Sequence, residues 1–376
     1  MTAAFVDRPR ASRRPLTDAA DFTLALTLRS PRERASRSIA RRQTGVLRNA
    51  LWAVHVCLLL LTLAAPTRAA PLAYVTAQGA DSLSIVDLAQ GRVVETLKIG
   101  KKPAGVAVAP GGERIYATNP EGHSFSVIER EKGAHRVIAE IPAGVGPLGI
   151  ALDPTGKTIF VADWYADEVH IFDADSLQKA GAAKVGQSPA GMASDPQGKF
   201  LYVANRESDS VSVVDISARK TVATIPVGKA PFGVTYDPSG PRLFVANVQS
   251  GDVSVIDPES RRETRRLKVR SFPYAIALAP DRKIFVTNQH DDSVSVFDGE
   301  TLEELRTLDV CGYPEGVLAV DGAVYVACWM DDVLARIDAT TLAVTQKIPV
   351  AASPRAFGQF VAPALTPQPR LHGRAE

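Results

Sequence analysis

A unit of about 42 residues recurs down most of the chain, each copy carries four short strand signals, and no helical periodicity competes with them. These three observations predict an all-β fold: a seven-bladed β-propeller of four-stranded blades, closed by the C-terminal strand completing the first blade.

The N-terminal part stands outside the repeat. Its first 69 residues hold 12 of the 43 Lys+Arg, all Arg, and four of the 41 Asp+Glu. An Arg-rich stretch leads into the apolar run ALWAVHVCLLLLTLAA from Ala50 to Ala65, followed by APTRAAP. A basic flank, an apolar centre and small residues at Thr67 and Ala69 read as a secretory signal cut before Ala70, since Pro71 blocks cutting one residue later. The run is shorter than the roughly 20 residues a membrane span needs, and His55 interrupts it, which argues against an uncleaved anchor. Arg41-Arg42 is a weak twin-arginine signal, because QTG follows where apolar residues belong; a start near Val46 would leave a compact leader. The expected organisation is a leader at 1–69, a propeller at 70–361 and a disordered tail at 362–376.

Removing the leader leaves 31 basic against 37 acidic residues, so a chain of formal charge +2 has a body of about −6 with no evident basic stripe. Such a surface gains little from counterion release, which excludes nucleic acid as the expected partner. With 45% apolar and 22% charged residues the composition is globular.

The clearest copy is PFGVTYDPSGPRLFVANVQSGDVSVIDPESRRETRRLKV, starting at Pro231. Its marker proline recurs at Pro103, Pro147, Pro189, Pro231, Pro273, Pro314 and Pro354, spaced 44, 42, 42, 42, 41 and 40. Turn clusters such as DPTG and DPSG separate the strands. The LYVAN-type strand occurs seven times, from AYVT at Ala73 to VYVAC at Val324, and the VSVID type seven times, from SIVD to ARID. The chain therefore opens on a second strand and ends on a lone first strand, RAFGQFVA, which belongs beside AYVT. That closure leaves no free edge blade.

The combination of IPVG, PFGV, LYVAN and SVSVVD resembles the YVTN family of β-propeller repeats, within the lactonase-like propellers, across roughly Pro71 to Ala362. The resemblance implies an exported bacterial or surface-layer-like protein. It is specific for fold and not for activity, because such propellers include binders, scaffolds and a few hydrolases.

Several motifs mislead. Gly144-Val145-Gly146-Pro147-Leu148-Gly149 matches G-x-G-x-x-G, but it lies between strands with no helix N-terminus to meet a phosphate. No C-x-x-C-H is present, which excludes covalent c-type haem, and H-E-x-x-H, the P-loop and G-x-S-x-G are missing too. His123, His170 and His290 fall on different blades and read as loop or sheet-surface residues. Asp215, Asp257 and their equivalents read as turn-formers.

A position dictated by architecture alone should be alike in all seven copies, so departures point to tolerance or function. The residue after each marker proline is Ala104, Leu148, Ala190, Phe232, Tyr274, Glu315 and Arg355. The next is Gly in five copies, and Ala275 and Ala356 in the other two. The LYVAN strand ends on Asn119, Asp163, Asn205, Asn247 and Asn288, expected to bond the following loop's backbone, but on Ala77 and Cys328 in the adjacent first and seventh blades. Cys57 leaves with the leader; Cys311 and Cys328 emerge on one face of the seventh blade, as a disulfide or as two buried thiols. These departures converge on a ligand site on the loop face between the sixth, seventh and first blades: Tyr274, His290, Tyr313, Glu315, Trp329 and Arg355. Aromatic rings give flat apolar contact and Arg355 can hold a carboxylate or phosphate. The bland alternative is that Glu315 and Arg355 pair with each other while the rings fill the channel mouth.

Three functions follow. The first is a non-catalytic exported binder or scaffold for a protein, peptide or envelope component, periplasmic or extracellular, monomeric, without stable membrane insertion after signal cleavage. It is favoured by the lack of a nucleophile, base and orienter set. The second is a lactonase-like hydrolase, for which Glu315, His290 and Asp291 are the candidate group. The third is an accessory to a periplasmic redox system. No cofactor and no metal is expected.

Overall fold

Alternation of apolar and small residues makes strands, and clusters of Asp, Pro and Gly fix where they end. In the computed structural model, which describes residues 70–362, these signals become seven sheets taken in chain order. The expected leader and the tail beyond Ala362 lie outside the described residues. No helix among the described residues is long and apolar enough to cross a membrane.

Blade 4 shows the plan. Its strands Pro189–Ser194, Phe200–Asn205, Ser210–Asp215 and Lys220–Pro226 run from the channel outward in antiparallel pairs. The two middle strands are almost wholly buried, and the outer one alternates between exposed and covered. The core therefore lies between blades: Tyr202 and Val213 of blade 4 pack with Leu243, Val245 and Ile256 of blade 5. Each such side chain contributes about 1.5–3 kcal/mol by leaving water.

Inner strands approach closely enough to explain the conserved glycine of the repeat. A Cβ on Gly149 would stand 1.9 Å from the Ala190 carbonyl oxygen, and one on Gly233 would stand 2.4 Å from that of Tyr274. At the outer turns, Asp215 and Asp257 accept backbone N–H groups of Ala218 at 2.8 Å and Glu259 at 2.9 Å, the turn-forming role expected of them. Those bonds hold both carboxyls below the usual range.

Ring closure follows expectation with one addition. Val361–Ala362 pairs antiparallel with Leu72–Ala73, and Tyr74 donates its amide to Phe360 at 2.7 Å, completing blade 1 as a four-stranded sheet. Between these contacts and the Ala77–Pro354 bridge, Phe357–Gln359 leaves blade 1 and pairs in parallel with Gly105–Ala107 of blade 2. Blade 2 thereby gains a fifth strand. The detour uses Ala356 at φ +47° and Gly358 at φ +116°, the latter open only to glycine. Thr76 Oγ1 fastens it, accepting the Ala356 amide at 2.9 Å and donating to the Ala104 carbonyl at 2.7 Å.

One basic edge does exist on this net acidic body, against expectation. The outer strand of blade 5, Arg262–Lys268, carries Arg262, Arg265, Arg266 and Lys268 on its exposed positions. Glu263 at 2.7 Å and Asp252 at 3.6 Å partly neutralise Arg266.

Candidate functional site

The loop before the first strand and the loop between the second and third strands open on one face, and the chain ties them together. In five blades an aspartate in left-handed conformation ends the second loop, which only a short polar side chain tolerates well. Asp81, Asp167, Asp209, Asp292 and Asp332 accept the amides of Lys102, Ser188, Ala230, Tyr313 and Ser353 at 2.7–2.9 Å.

The side chains after the marker prolines close the channel mouth. Phe232 stacks on Tyr274 at 4.2 Å between ring centroids, Phe357 lies 4.8 Å from Phe232 and 5.8 Å from Tyr274, and Trp164 lies 6.5 Å from Phe232. Beside this cluster Arg355 Nε donates to Glu315 at 2.6 Å, and its Nη2 donates to the Tyr274 hydroxyl at 2.7 Å. Gln289 adds a donor to the same carboxylate at 3.2 Å. Glu315 and Arg355 do pair, and Nη1 of Arg355 is left without a hydrogen-bond partner among the described residues. Burial pushes the Glu315 carboxyl up while the guanidinium pulls against it, and the carboxylate holds Arg355 firmly protonated. Burial pushes the Tyr274 hydroxyl far up as well, so it remains a neutral acceptor for the guanidinium.

Above this layer runs a second arc. His290 stacks on Phe272 at 3.7 Å, Tyr313 lies 5.6 Å from His290, and Trp329 lies 5.7 Å from Tyr313. The six expected residues thus form two contacting groups, Tyr274–Glu315–Arg355 and His290–Tyr313–Trp329. They lie near enough that Glu315 and Arg355 both bear on the Tyr313 hydroxyl, which burial pushes up. Cys311 and Cys328 form a disulfide with Cα atoms 5.8 Å apart, pinning the loop that presents Tyr313.

The asparagine ring works differently from expectation. Asn119 donates to Ser124 and Ser126, Asn205 to Ser210 and Ser212, and Asn288 to Ser293 and Ser295, so these buried amides clamp the third strand rather than the following loop. Asp163 alone bonds that loop, at the Tyr165 amide. Blade 7, where Cys328 replaces the amide, has Val333 and Ala335 in place of the serines. Blade 1 keeps Ser82 although Ala77 offers it nothing, and its hydroxyl is buried without a partner. His170 also departs from expectation: it is a buried strand residue that fills the second serine position of its blade, in register with Val161 and 3.8 Å from the Asp163 carboxylate, whereas His123 and His290 are exposed loop residues.

Phe232 stands out in the repeat comparison as a large side chain in a variable position; Phe272 does not, and neither does Phe357, which lies in the detour that no other copy contains. The hydrolase candidates are each engaged elsewhere: Glu315 with Arg355, His290 with Phe272, and Asp291 with the Ser293 hydroxyl at 2.8 Å. Among the described residues no group of three or more His, Cys, Asp or Glu is placed to hold a metal ion.

Fold and loop face define a seven-bladed propeller whose channel mouth is closed by aromatic rings and an ion pair. The model of the family described as Lactonase, 7-bladed beta-propeller, matches residues 176–272, and over that stretch the chain resembles the lactonase-like propellers. The YVTN resemblance itself rests on the repeat residues. No curated protein matches the sequence. Among solved structures, a functionally unknown protein from Desulfotomaculum acetoxidans DSM 771 superposes with a TM-score of 0.67 at 12% identity, covering 76% of this chain and 99% of that one. Kuenenia stuttgartiensis hydrazine synthase gives 0.63 at 20%, covering 72% and 92%. The dihydro-heme d1 dehydrogenase NirN gives 0.58 at 16%, covering 78% and 75%. At these identities the likeness is one of fold.

Proposed function

We propose that this chain is an exported, non-catalytic propeller that binds a protein, peptide or envelope component on its loop face between blades 6, 7 and 1. The observation that carries this reading is the pinned aromatic arc of Phe272, His290, Tyr313 and Trp329 beside Arg355. Met330, 64% exposed, extends the same arc, and Tyr165, 73% exposed, flanks the mouth from blade 3. Aromatic, methionine and arginine side chains are the types enriched where proteins meet partners. A disulfide also suits an oxidising compartment, which supports export.

A photo-reactive amino acid placed at Met330 tests the reading. In envelope extract it should cross-link one discrete species, and Trp329→Ala should abolish that product, while the same group at Val137 on the outer rim gives none. Equal labelling at both positions would remove the loop face as the site.

The match over residues 176–272 favours a second reading, a lactonase-like hydrolase. It calls for saturable ester or lactone hydrolysis lost on Glu315→Gln; no turnover by the folded, oxidised protein leaves the binding role.

A further inference from the structure

We propose that the far end of the channel is a second binding site, for a small uncharged molecule bearing one or two acceptor oxygens. Phe357 divides the channel. Above it lie Phe232, Tyr274 and the Arg355–Glu315 pair; below it opens a cavity of about 300 Å³, walled by Ile150, Leu152, Met192, Val234, Ile276 and Leu318. These residues stand three to five positions beyond the marker prolines, so the cavity faces away from the loop arc.

The partition is built into the chain. Gly358 holds φ +116°, and a Cβ there would stand 2.5 Å from the Val106 carbonyl oxygen, so only glycine lets Phe357 sit where it does. The volume is at the low end for small-ligand pockets.

Charge and hydrogen bonding set the ligand's chemistry. Asp153 is the one ionisable carboxylate or cation on the wall, and its oxygens are taken by the amides of Thr158 at 2.7 Å and Thr155 at 3.3 Å. An anionic ligand would lose hydration there with no cation to replace it, and a cation would meet only Asp153, whose oxygens already accept from its own turn. The hydroxyls of Ser194 and Thr235 already donate, to Leu152 at 3.1 Å and Ile276 at 2.7 Å. The donors left are the side chains of Tyr236 and Gln359 and the backbone amides of the inner strands. Asp195 donates to Phe200 at 2.9 Å, toward the second strand, so alternation turns the amides of Met192 and Ser194 to the channel. The pairing of Phe357–Gln359 with Gly105–Ala107 shows such an edge accepting partner oxygens. Apolar walls plus outward amides fit a compact ketone or ester, independently of what the loop face binds.

Cyclohexanone is a suitable probe, titrated into the full oxidised protein and followed by saturation-transfer NMR. Saturable binding is expected. Leu318→Trp and Gln359→Trp, each filling the cavity from a different element, should each weaken it about tenfold or more, with melting temperatures close to that of the parent. Should one variant fail to fold, the other carries the test. Cyclohexanecarboxylate, the charged counterpart, should bind at least about tenfold more weakly. The proposal is overturned by no saturable binding of cyclohexanone, by binding unchanged in a folded tryptophan variant, or by equal binding of the carboxylate. Binding of acetyl-Val-Ala-Val-amide without the ketone would assign the cavity to an extended peptide and overturn it likewise.

Discussion

Arg355 Nε lies 2.6 Å from the Glu315 carboxylate at the mouth of the channel, joining the strand that closes the ring to the blade beside it. The Glu315 side chain is 3% exposed and that of Arg355 19%. A pair so covered offers little net stability relative to an apolar pair, because both ions have left water, but breaking it strands one of them.

Replacing either partner alone should therefore cost about 3–5 kcal/mol, and Glu315→Leu with Arg355→Met together much less than the sum. Urea denaturation of the two single variants and the double variant measures the coupling. Additive losses would mean the two charges are independently solvated.

The disulfide occupies the place of an amide clamp. Opening it by Cys311→Gly with Cys328→Asn should cost about 3 kcal/mol, for a sequence separation of 17 residues. Adding Val333→Ser and Ala335→Ser should return part of that loss, since the four changes together rebuild the bonding seen around Asn288. Thermal melts under oxidising conditions decide it, and a quadruple variant weaker than the double would show that the clamp does not transfer between blades.

Inner-strand spacing makes a sharper claim. Gly149→Ala would set a methyl group against the Ala190 carbonyl oxygen, so the variant should lose several kcal/mol or fail to fold, while Ala275→Gly, at the equivalent position of blade 6, should cost about 1 kcal/mol. Similar losses at the two sites would refute the close approach.

Acid should weaken the fold before the aspartates titrate. Burial lowers the pKa of His135 and of His170, against the pull of Glu95 in one case and of Asp163 and Glu168 in the other. The unfolded chain then takes up protons first, so this contribution is complete above the ordinary histidine value of about 6.5 and is lost as pH falls through it. A second loss follows below about pH 4, where protonation ends the turn bonds of Asp215 and Asp257. Urea midpoints at pH 7.5 and 5.5 should differ for the parent and converge for a His135→Gln, His170→Gln variant.

Much of this was legible in sequence because a repeat exposes its own rules. Marker prolines counted the blades, VYVAC and the Cys311 loop placed the disulfide, and the run from Phe232 to Arg355 marked the crowded arc. What stayed hidden depended on pairing across distance. The serines of SVSVVD look like ordinary alternation until Asn205 is seen to reach both. His170 looks like a surface residue until its strand is sandwiched between blades. Phe357 enters the channel through a detour whose one sign in the sequence is Gly358, standing where other copies continue the strand.

Hydrogen exchange at Tyr74 and Ala356 tests ring closure most directly, because their amides bond Phe360 and Thr76 across the join between the chain's two ends. A closed ring predicts that both exchange only with global unfolding, as slowly as the core of blade 4, and that Thr76→Val speeds Ala356 selectively. Exchange of both at loop rates in the parent protein would show the join open, and with it would go the placement of Arg355 and Phe357 in the channel.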